Sequence, residues 1–327
     1  MSPPHGRGRK GTNMNTDFSK NSKPIIIGLD HGFGNIKTAH CVFPTGVTRH
    51  DTEPTFKNDL LLYGGKYYTI GDGHKEFIAD KSLDEDYYIL TLAAIAKEMD
   101  HRGLPGNSHV ILAVGLPLTW ASRQRKDFVA YLMKKRDVQF YFNRRNRYIT
   151  IEHVEVFPQG FAAIAPTIYS FKGLNMLCDI GNGTMNVMYI NNCRPVQSKC
   201  YTEKYGTHQC TLEVREQMMQ QHHVTVDDGV IEEVLRTGTA DISPDYLTTI
   251  RDAAKDYTEE IMHRLREHEY DSKQMRLYIV GGGGCLVKNF ADYDPNRVTI
   301  NEDICATAKG YEWLAEQKIN HAGSVGV

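Results

Sequence analysis

Short apolar runs that end in glycine-rich turns are the dominant pattern of this chain. The apolar run at 24–29 leads into a turn with Gly32 and Gly34, and a second apolar run follows at 35–42. The same order returns later, where runs at 176–180 and 185–190 flank another glycine-rich turn. Apolar runs of this length beside glycine are typical of buried strands. Each unit is therefore predicted to be a β-hairpin with glycines at its tip.

The rest of the pattern alternates strands with helices. Apolar residues recur at helical spacing from Tyr88 to Met99, which predicts an amphipathic helix over 84–99 with Ser82 and Glu85 as a capping box. Strands followed by helices, twice over, predict two similar mixed α/β domains. Further strands are predicted at 60–63, 67–70, 109–115, 149–157, 195–202 and 276–280, and further helices at 122–134, 158–165, 208–221, 227–236, 244–267 and 302–317.

Composition narrows the class of protein. The 327 residues exceed what one core normally supports, and 41% hydrophobic with 24% charged residues is ordinary for a globular protein. The seven cysteines are scattered and never spaced C-x-x-C, which favours reduced thiols in the cytoplasm. Residues 1–23 are polar and are predicted to be a disordered tail, and no apolar run is long enough for a membrane helix.

Acidic residues accompany both glycine turns. Asp30 follows the first apolar strand, with Lys37 seven residues later, and Asp179 occupies the same place before the second turn. Backbone N–H groups at such turns can grip phosphates, and a carboxylate beside them can hold a hydrated divalent cation. A run of glycines at 281–284, again after an apolar strand, allows close approach of a nucleotide to bare backbone. The paired turns predict a nucleotide cleft between two similar halves.

The order of these segments resembles the five nucleotide-binding segments of the actin, Hsp70 and sugar-kinase superfamily. The matching segments are 30–37, 157–163, 178–184, 277–284 and 300–313. Within the superfamily, the ending of the first turn and the compact length look most like the bacterial plasmid-segregation actins of the ParM (StbA) type. The resemblance implies an actin/Hsp70-like (ribonuclease H-like) duplicated two-domain α/β fold, with domain I at 24–167 plus 303–320, domain II at 168–302 and the nucleotide cleft between them.

The resemblance also implies roles for single residues. Asp30 and Asp179 would hold Mg²⁺ through its waters, and Gln159 would orient the attacking water. Because an amide cannot accept a proton, the resemblance predicts slow hydrolysis timed to polymerisation. Glu203, Lys204 and Thr207 are candidates for ribose and base contacts. The predicted nucleotide-binding residues are Gly32, Phe33, Gly34, Asn35, Lys37, Gly181, Asn182, Gly183, Thr184, Glu203, Lys204, Thr207, Gly281, Gly282 and Gly283.

The function implied is a filament-forming ATPase that segregates plasmid DNA with ATP (GTP is possible) and Mg²⁺. Its expected partners are copies of itself and a DNA-binding adaptor at a plasmid centromere, with no membrane. Two alternatives use the same cleft: a small-molecule kinase and a non-polymerising ATP-binding scaffold. The basic stretch at 123–147 is interpreted as a solvated or subunit-contacting face rather than a sequence-specific DNA site. His222 and His223 lack the spacing of a metal site.

Overall fold

Two β-sheets form the framework of the chain. The computed structural model describes residues 23–71, 84–117 and 121–324. In these residues the first sheet has the order β3-β2-β1-β7-β9-β8-β5-β6-β4 and the second the order β12-β11-β10-β13-β14. The strands are β1 (Ile25–His31), β2 (Asn35–Thr38), β3 (Val42–Pro44), β4 (Val47–His50), β5 (Leu60–Tyr63), β6 (Lys66–Ile70), β7 (Asn107–Leu116), β8 (Asp137–Phe142), β9 (Arg145–Pro158), β10 (Leu174–Ile180), β11 (Met185–Asn191), β12 (Arg194–Glu203), β13 (Arg276–Val280) and β14 (Val298–Ile300).

Helices cover the sheets and close two main hydrophobic cores. One core packs the first sheet against α1 and α2, and the other packs the second sheet against α4 to α7. The helices of the described segments are α1 (Glu85–His101), α2 (Ala121–Leu132), α3 (Phe161–Ile164), α4 (Thr207–His222), α5 (Asp228–Thr237), α6 (Pro244–Glu267), α7 (Gly284–Phe290) and α8 (Ala306–Ser324), with a 3₁₀ turn at Ala165–Ser170.

The two sheets repeat one topology. In the first sheet β1, β2 and β3 pair antiparallel, and β7 and β9 continue from β1 in parallel. In the second sheet β10, β11 and β12 pair antiparallel, and β13 and β14 continue in parallel. The predicted duplicated α/β fold and both predicted hairpins are confirmed. Strands β4, β5, β6 and β8 widen the first sheet only.

The last helix returns to the first sheet. Tyr311 and Ala315 of α8 are fully buried against Ala113 of β7 and Ala162 of α3. The backbone N–H of Gly28 in β1 donates to Glu312 Oε1 at 2.9 Å. A helix that follows the second sheet in the chain thus contacts the first. The proposed domain boundaries stay a prediction.

Three local predictions differ from the structure. The helix predicted at 158–165 is wrong over its first residues, because Pro158 still pairs with Leu116 of β7 and α3 begins only after Gly160, whose φ of 73° reverses the chain. The β8–β9 hairpin was missed within the basic stretch. The predicted cap of α1 is replaced by Asp84, whose side chain accepts from the Asp86 N–H. Ser82 and residues 1–22 of the predicted tail (1–23) lie outside the described residues.

Candidate functional site

A cavity lies where the carboxyl ends of both sheets face each other. Asp30 is near the end of β1 and Asp179 near the end of β10, and the parallel strands beside them end at the same level. Because both sheets share one topology, both glycine turns project into this space. The lining residues include Asp30, His31, Gly32, Phe33, Gly34, Asn35, Lys37, Val42, Gln159, Asp179, Gly181, Asn182, Gly183, Thr184, Asn186, Thr207, Thr211, Glu232, Leu235, Arg236, Gly281, Gly282, Cys285, Leu286, Ile304 and Thr307.

The two glycine turns approach each other closely across the cavity. A Cβ atom added to Gly34 would lie 2.8 Å from Asn182 Cγ, closer than non-bonded carbons pack. Two hydrogen bonds from Thr45 also hold the first turn in place. The Thr45 hydroxyl donates to Phe33 O at 2.7 Å, and the Thr45 N–H donates to Gly34 O at 3.1 Å. The two phosphate-binding candidates are therefore parts of one surface, and the lack of a side chain at Gly34 leaves room for the Asn182 side chain.

The second turn is tied to the start of α4. Gly181 N–H closes the turn by donating to Thr184 O at 2.8 Å. The N–H groups of Thr207 and His208, at the start of α4, donate to Gly181 O and Asn182 O at 3.0 and 2.9 Å. The first N–H groups of a helix have no partner within the helix, so the turn caps α4. This contact places Thr207 at the cavity, and its predicted contact with the ribose or base stays a prediction.

Asp30 has neighbours that compensate its charge. Lys37 Nζ lies 3.6 Å from Asp30 Oδ2, and the Gln159 amide Nε2 donates to Asp30 Oδ1 at 3.1 Å. The antiparallel register of β1 and β2 places Lys37 directly opposite Asp30. Gln159 arrives from the end of β9, where its own N–H donates to Leu116 O. The structure therefore brings three predicted site residues into direct contact.

The negative charge of Asp179 is less well compensated by its neighbours than that of Asp30. Burial is the main cause that raises the pKa of its carboxyl to about 7, and the nearby negative charge of Asp30 raises it further, while Lys37 acts in the opposite direction. Gly281, with φ of 86°, approaches so closely that a Cβ there would lie 2.6 Å from Asp179 Oδ1. The carboxylates of Asp30 and Asp179 thus lie close to each other, with Lys37 as the cation that acts on both. A divalent cation would relieve this repulsion, which is the condition for the predicted Mg²⁺ site.

Three of the predicted nucleotide-binding residues lie outside the lining of this cavity. Glu203 lies outside the cavity lining and pairs instead with Arg264 at 3.2 Å and with His268. Lys204 is exposed and also does not line the cavity. Gly283 packs against Ile180, where a Cβ would lie 2.2 Å from Ile180 Cγ2. The absence of a side chain at Gly283 allows its backbone to pack against Ile180 at the end of β10. All the other predicted catalytic and nucleotide-binding residues line the cavity.

One wall of the cavity was not predicted. Helix α5 contributes Glu232, Leu235 and Arg236, and α7 contributes Cys285 and Leu286. These residues carry no glycine or motif signal, and only packing of the two helices beside the second sheet brings them to the cavity. Helical spacing alone could have suggested Thr211, because it follows Thr207 by one turn.

The basic stretch at 123–147 spans α2 and the β8–β9 hairpin. Most of its cations have local carboxylate partners, which reduces the positive field that this face offers. The ion pairs join Arg125 to Glu155, Lys134 to Glu85, Arg136 to Glu152, and both Arg145 and Arg147 to Asp100. Elsewhere, the His222 ring bonds to the Thr249 hydroxyl at 2.8 Å and packs edge-on to Tyr246.

Comparisons with known proteins agree with this geometry. Residues 28–161 match the N-terminal domain of actin-like proteins, and residues 177–292 match the C-terminal domain of archaeal MreB-like actin homologues. No curated protein matches the sequence significantly. The chain therefore has the two-domain actin-like architecture, with an actin-like domain in each half. It belongs to the actin-like protein superfamily.

Solved structures of actin-like proteins share the fold over most of the chain. A 15-stranded ParM filament from Clostridium botulinum superposes with a TM-score of 0.74 at 18% identity, over 90% of this chain and 100% of that one. The archaeal actin homologue Ta0583 in complex with ADP gives 0.71 at 18% identity, over 90% and 99%. The apo pSK41 ParM protein gives 0.68 at 15% identity, over 90% and 98%. Among the described residues, every helix is too short or too polar to cross a bilayer.

Proposed function

We propose that this protein is a filament-forming actin-like ATPase that polymerises with ATP or GTP and Mg²⁺, disassembles after hydrolysis and segregates plasmid DNA. The observation that carries the proposal is the convergence of both glycine turns, Asp30 and Asp179 on one cavity between the two sheets. Such a cavity couples the bound nucleotide to the relative position of the domains. Closure around a nucleoside triphosphate would favour the polymerising form.

The cavity residues fit a magnesium nucleotide. Asp30 and Asp179 would hold Mg²⁺ through its water molecules, and the raised pKa of Asp179 reflects a charge that such a cation would stabilise. Backbone N–H groups of the turns at 32–34 and 181–184 would bind the phosphates, and Lys37 would offset their charge. The bound ion would neutralise charge that develops on the transferred phosphoryl group.

Gln159 is the residue that we assign to the attacking water. Its amide nitrogen donates to Asp30, so its carbonyl oxygen is left to accept a hydrogen bond from water. An amide oxygen positions water without accepting its proton. This supports slow hydrolysis, timed to assembly rather than to rapid turnover.

Self-association and plasmid segregation rest on the likeness to ParM structures. One of them is a ParM filament. We propose that the partners are further copies of this chain and a DNA-binding adaptor at a plasmid centromere, in the cytoplasm. The ion pairs of the 123–147 stretch support an adaptor over direct sequence-specific DNA contact. Both specific and non-specific DNA binding depend on basic side chains that are free to neutralise phosphates.

The first test is light scattering and pelleting of the purified protein with Mg-ATP, Mg-GTP, Mg-ADP or no nucleotide, with phosphate release followed in parallel. Asp179→Ala removes a cavity carboxylate, and Asp292→Ala is the matched control, because Asp292 is exposed and outside the cavity. Assembly with a triphosphate that only Asp179→Ala loses would support the proposal. Phosphate transfer that requires an added small substrate would instead indicate a kinase, and nucleotide binding without assembly would indicate a scaffold.

Plasmid segregation needs a separate measurement. A test plasmid that carries the gene with its flanking DNA should be retained by dividing cells with the wild-type or Asp292→Ala protein. It should be lost more often with Asp179→Ala, because that variant is expected to lack nucleotide-timed assembly. Equal retention with all three proteins would contradict a role in segregation while leaving the ATPase assignment intact.

A further inference from the structure

The carbonyl groups of the second glycine turn face the start of α4. Gly181 O and Asn182 O accept hydrogen bonds from the first two N–H groups of that helix at 3.0 and 2.9 Å. In a trans peptide unit the N–H group points opposite to the C=O group. The N–H groups of Asn182 and Gly183 belong to the same two peptide units, so they point away from the start of α4. Both residues line the cavity, and these N–H groups are candidate donors to a phosphate.

Gly206, directly before α4, sets how closely the turn approaches this helix. Its backbone is extended, with φ of −118°, so its conformation does not require glycine. A Cβ there would nevertheless lie 2.2 Å from Asn182 O and 2.7 Å from Gly181 O. Gly206 therefore contacts both carbonyl groups that accept from α4, and a shift of Gly206 would move the turn with it.

The Gly206 backbone is in turn held by Tyr257 of α6. The Tyr257 hydroxyl donates to Gly206 O at 2.7 Å, and the residue is 1% exposed. Loss of this bond is costly, because a buried carbonyl without a donor is separated from water as well. The Gly206 N–H donates to Gln209 Oε1 at 2.7 Å, so both polar backbone groups of Gly206 are bonded.

Tyr257 is itself held by a stack of side chains. The Tyr205 ring lies nearly parallel to the Tyr257 ring, with 4.6 Å between the centroids. The Arg264 guanidinium lies 4.4 Å from the centroid of the Tyr205 ring, and Arg264 pairs with Glu203 at 3.2 Å. Aromatic stacking and the cation above it restrict rotation of both rings. The Tyr257 hydroxyl therefore has little freedom to turn away from Gly206.

We propose that Tyr257 is a positioning residue for phosphate binding: its hydrogen bond to Gly206 keeps the N–H groups of the second glycine turn directed at the phosphates of a bound nucleotide. The inference rests on the proposed nucleotide-binding function and deepens it, because it assigns a role to a residue outside the cavity lining. The first turn has a support of the same kind, the two hydrogen bonds that Thr45 donates to its carbonyl groups.

The experiment compares Tyr257→Phe, which removes only the hydroxyl, with wild type and with Tyr270→Phe. Tyr270 is the matched control, because it is a buried tyrosine of the same hydrophobic core and lies outside the cavity lining. Calorimetric titration of the full chain with Mg-ADP and Mg-GDP measures the affinity. For the diphosphate that wild type binds more tightly, Tyr257→Phe should weaken binding about fivefold, as the loss of one hydrogen bond allows, and Tyr270→Phe should stay within about twofold.

Hydrogen exchange without nucleotide gives a second readout. The amides of Thr207 and His208 donate to the turn. They should exchange about fivefold faster in Tyr257→Phe and at the wild-type rate in the control. Gly206→Ala tests the same contact, because its Cβ would displace the turn directly. This variant should weaken the diphosphate at least as much as Tyr257→Phe.

Any of three results would overturn the inference while leaving the nucleotide site intact. The first is diphosphate affinity within about twofold of wild type in Tyr257→Phe or Gly206→Ala. The second is an equal loss of affinity in Tyr257→Phe and Tyr270→Phe, which would indicate a general effect of the core. The third is unchanged amide exchange at 207–208 in Tyr257→Phe. Failure of wild type to bind either nucleotide would overturn the proposed function together with this inference.

Discussion

The first and second sheets present their cleft carboxylates in different surroundings, although they share one five-strand order. Asp30 lies opposite Lys37 and accepts a hydrogen bond from Gln159. Asp179, at the matching place in the second sheet, is enclosed by glycine backbone, and burial raises the pKa of its carboxyl to about 7. The common topology fixes where each carboxylate lies, and the neighbouring side chains decide how its charge is balanced.

The outer parts of the two sheets differ even more. Extra strands widen the first sheet, from β4 to β6 and β8, whereas three helices, α4 to α6, follow the third strand of the second sheet. The glycine turns that we propose to bind phosphate come from the shared strand ends. The wall that α5 and α7 contribute comes from the helices of one half alone. The duplicated core therefore supplies the symmetric part of the cavity, and its unequal additions supply the asymmetric remainder.

The largest expected effect concerns the two carboxylates. Asp179→Asn and Asp30→Asn should each lower Mg²⁺-dependent nucleotide hydrolysis by about 1000-fold or more, because a metal at the phosphoryl group contributes several kcal/mol to transition-state stabilisation. Single-turnover phosphate release measures the effect. Asp30→Asn should also loosen the positions of the Lys37 and Gln159 side chains, because both contact Asp30. Asp179→Asn leaves these two contacts intact. Equal activity of Asp179→Asn and wild type would contradict a metal role for the second carboxylate.

The second-largest expected effect is the pH dependence of the free energy of unfolding that Asp179 of the second sheet contributes. Because the pKa of Asp179 is raised in the folded protein, its contribution to stability is complete below about pH 4 and is lost as the pH rises through about 7. Without Mg²⁺ or nucleotide, the loss should reach about 4 kcal/mol, which is the free energy of a shift of about three pKa units. Asp179→Asn should lack this loss.

The measurement is the difference in free energy of unfolding between wild type and Asp179→Asn, taken from urea titrations at pH 5 and pH 8. Other titrating groups are common to both proteins, so they cancel in the difference. Asp179→Asn should be relatively more stable at pH 8 than at pH 5. A difference that stays constant between the two pH values would show that burial does not raise the pKa of the Asp179 carboxyl.

The contact between the glycine turns should give an intermediate effect. Gly34→Ala places a Cβ 2.8 Å from Asn182 Cγ, so either the Asn182 side chain or the two turns must shift, at a cost of about 1–3 kcal/mol in stability and nucleotide affinity. Asn182→Gly added to Gly34→Ala should recover much of the loss, because the clashing side chain is removed. Thermal unfolding and nucleotide titration of both proteins measure this. Without such recovery, the turns would not be in contact across the cleft.

The sequence predicted those features of the site that depend on local pattern. Glycine turns after apolar strands signal hairpins at short range, and the repetition of the turn around Asp30 and Asp179 indicated a shared cleft. The tie from Thr45 to the first turn, and the arrival of Glu232 and Arg236, depend on tertiary packing that no short-range pattern encodes.

Two of the predicted site residues lie outside the cavity lining for reasons that the sequence does not show. Gly283 belongs to a run of four glycines in which Gly281 and Gly282 line the cavity, while Gly283 packs against Ile180. Conformational freedom is equal along such a run, so it does not identify which glycine faces a ligand. Glu203 pairs instead with Arg264 of α6 and with His268, which directly follows α6. These partners are about sixty positions away in the sequence, so no local pattern indicates the pairing.

The smallest expected effect is that of Gln159→Ala. If Gln159 only positions water, its loss removes one hydrogen bond, and hydrolysis should slow about tenfold while nucleotide affinity stays within about twofold. Gln139→Ala is the matched control, since Gln139 is an exposed amide on β8 outside the cavity. Gln159→Glu sharpens the test, because its carboxylate replaces the donor that now contacts Asp30 and adds a further negative charge beside Asp30. Unchanged hydrolysis in both Gln159 variants would remove this residue from the proposed mechanism, and Lys37 would then be the neighbour of Asp30 to test next.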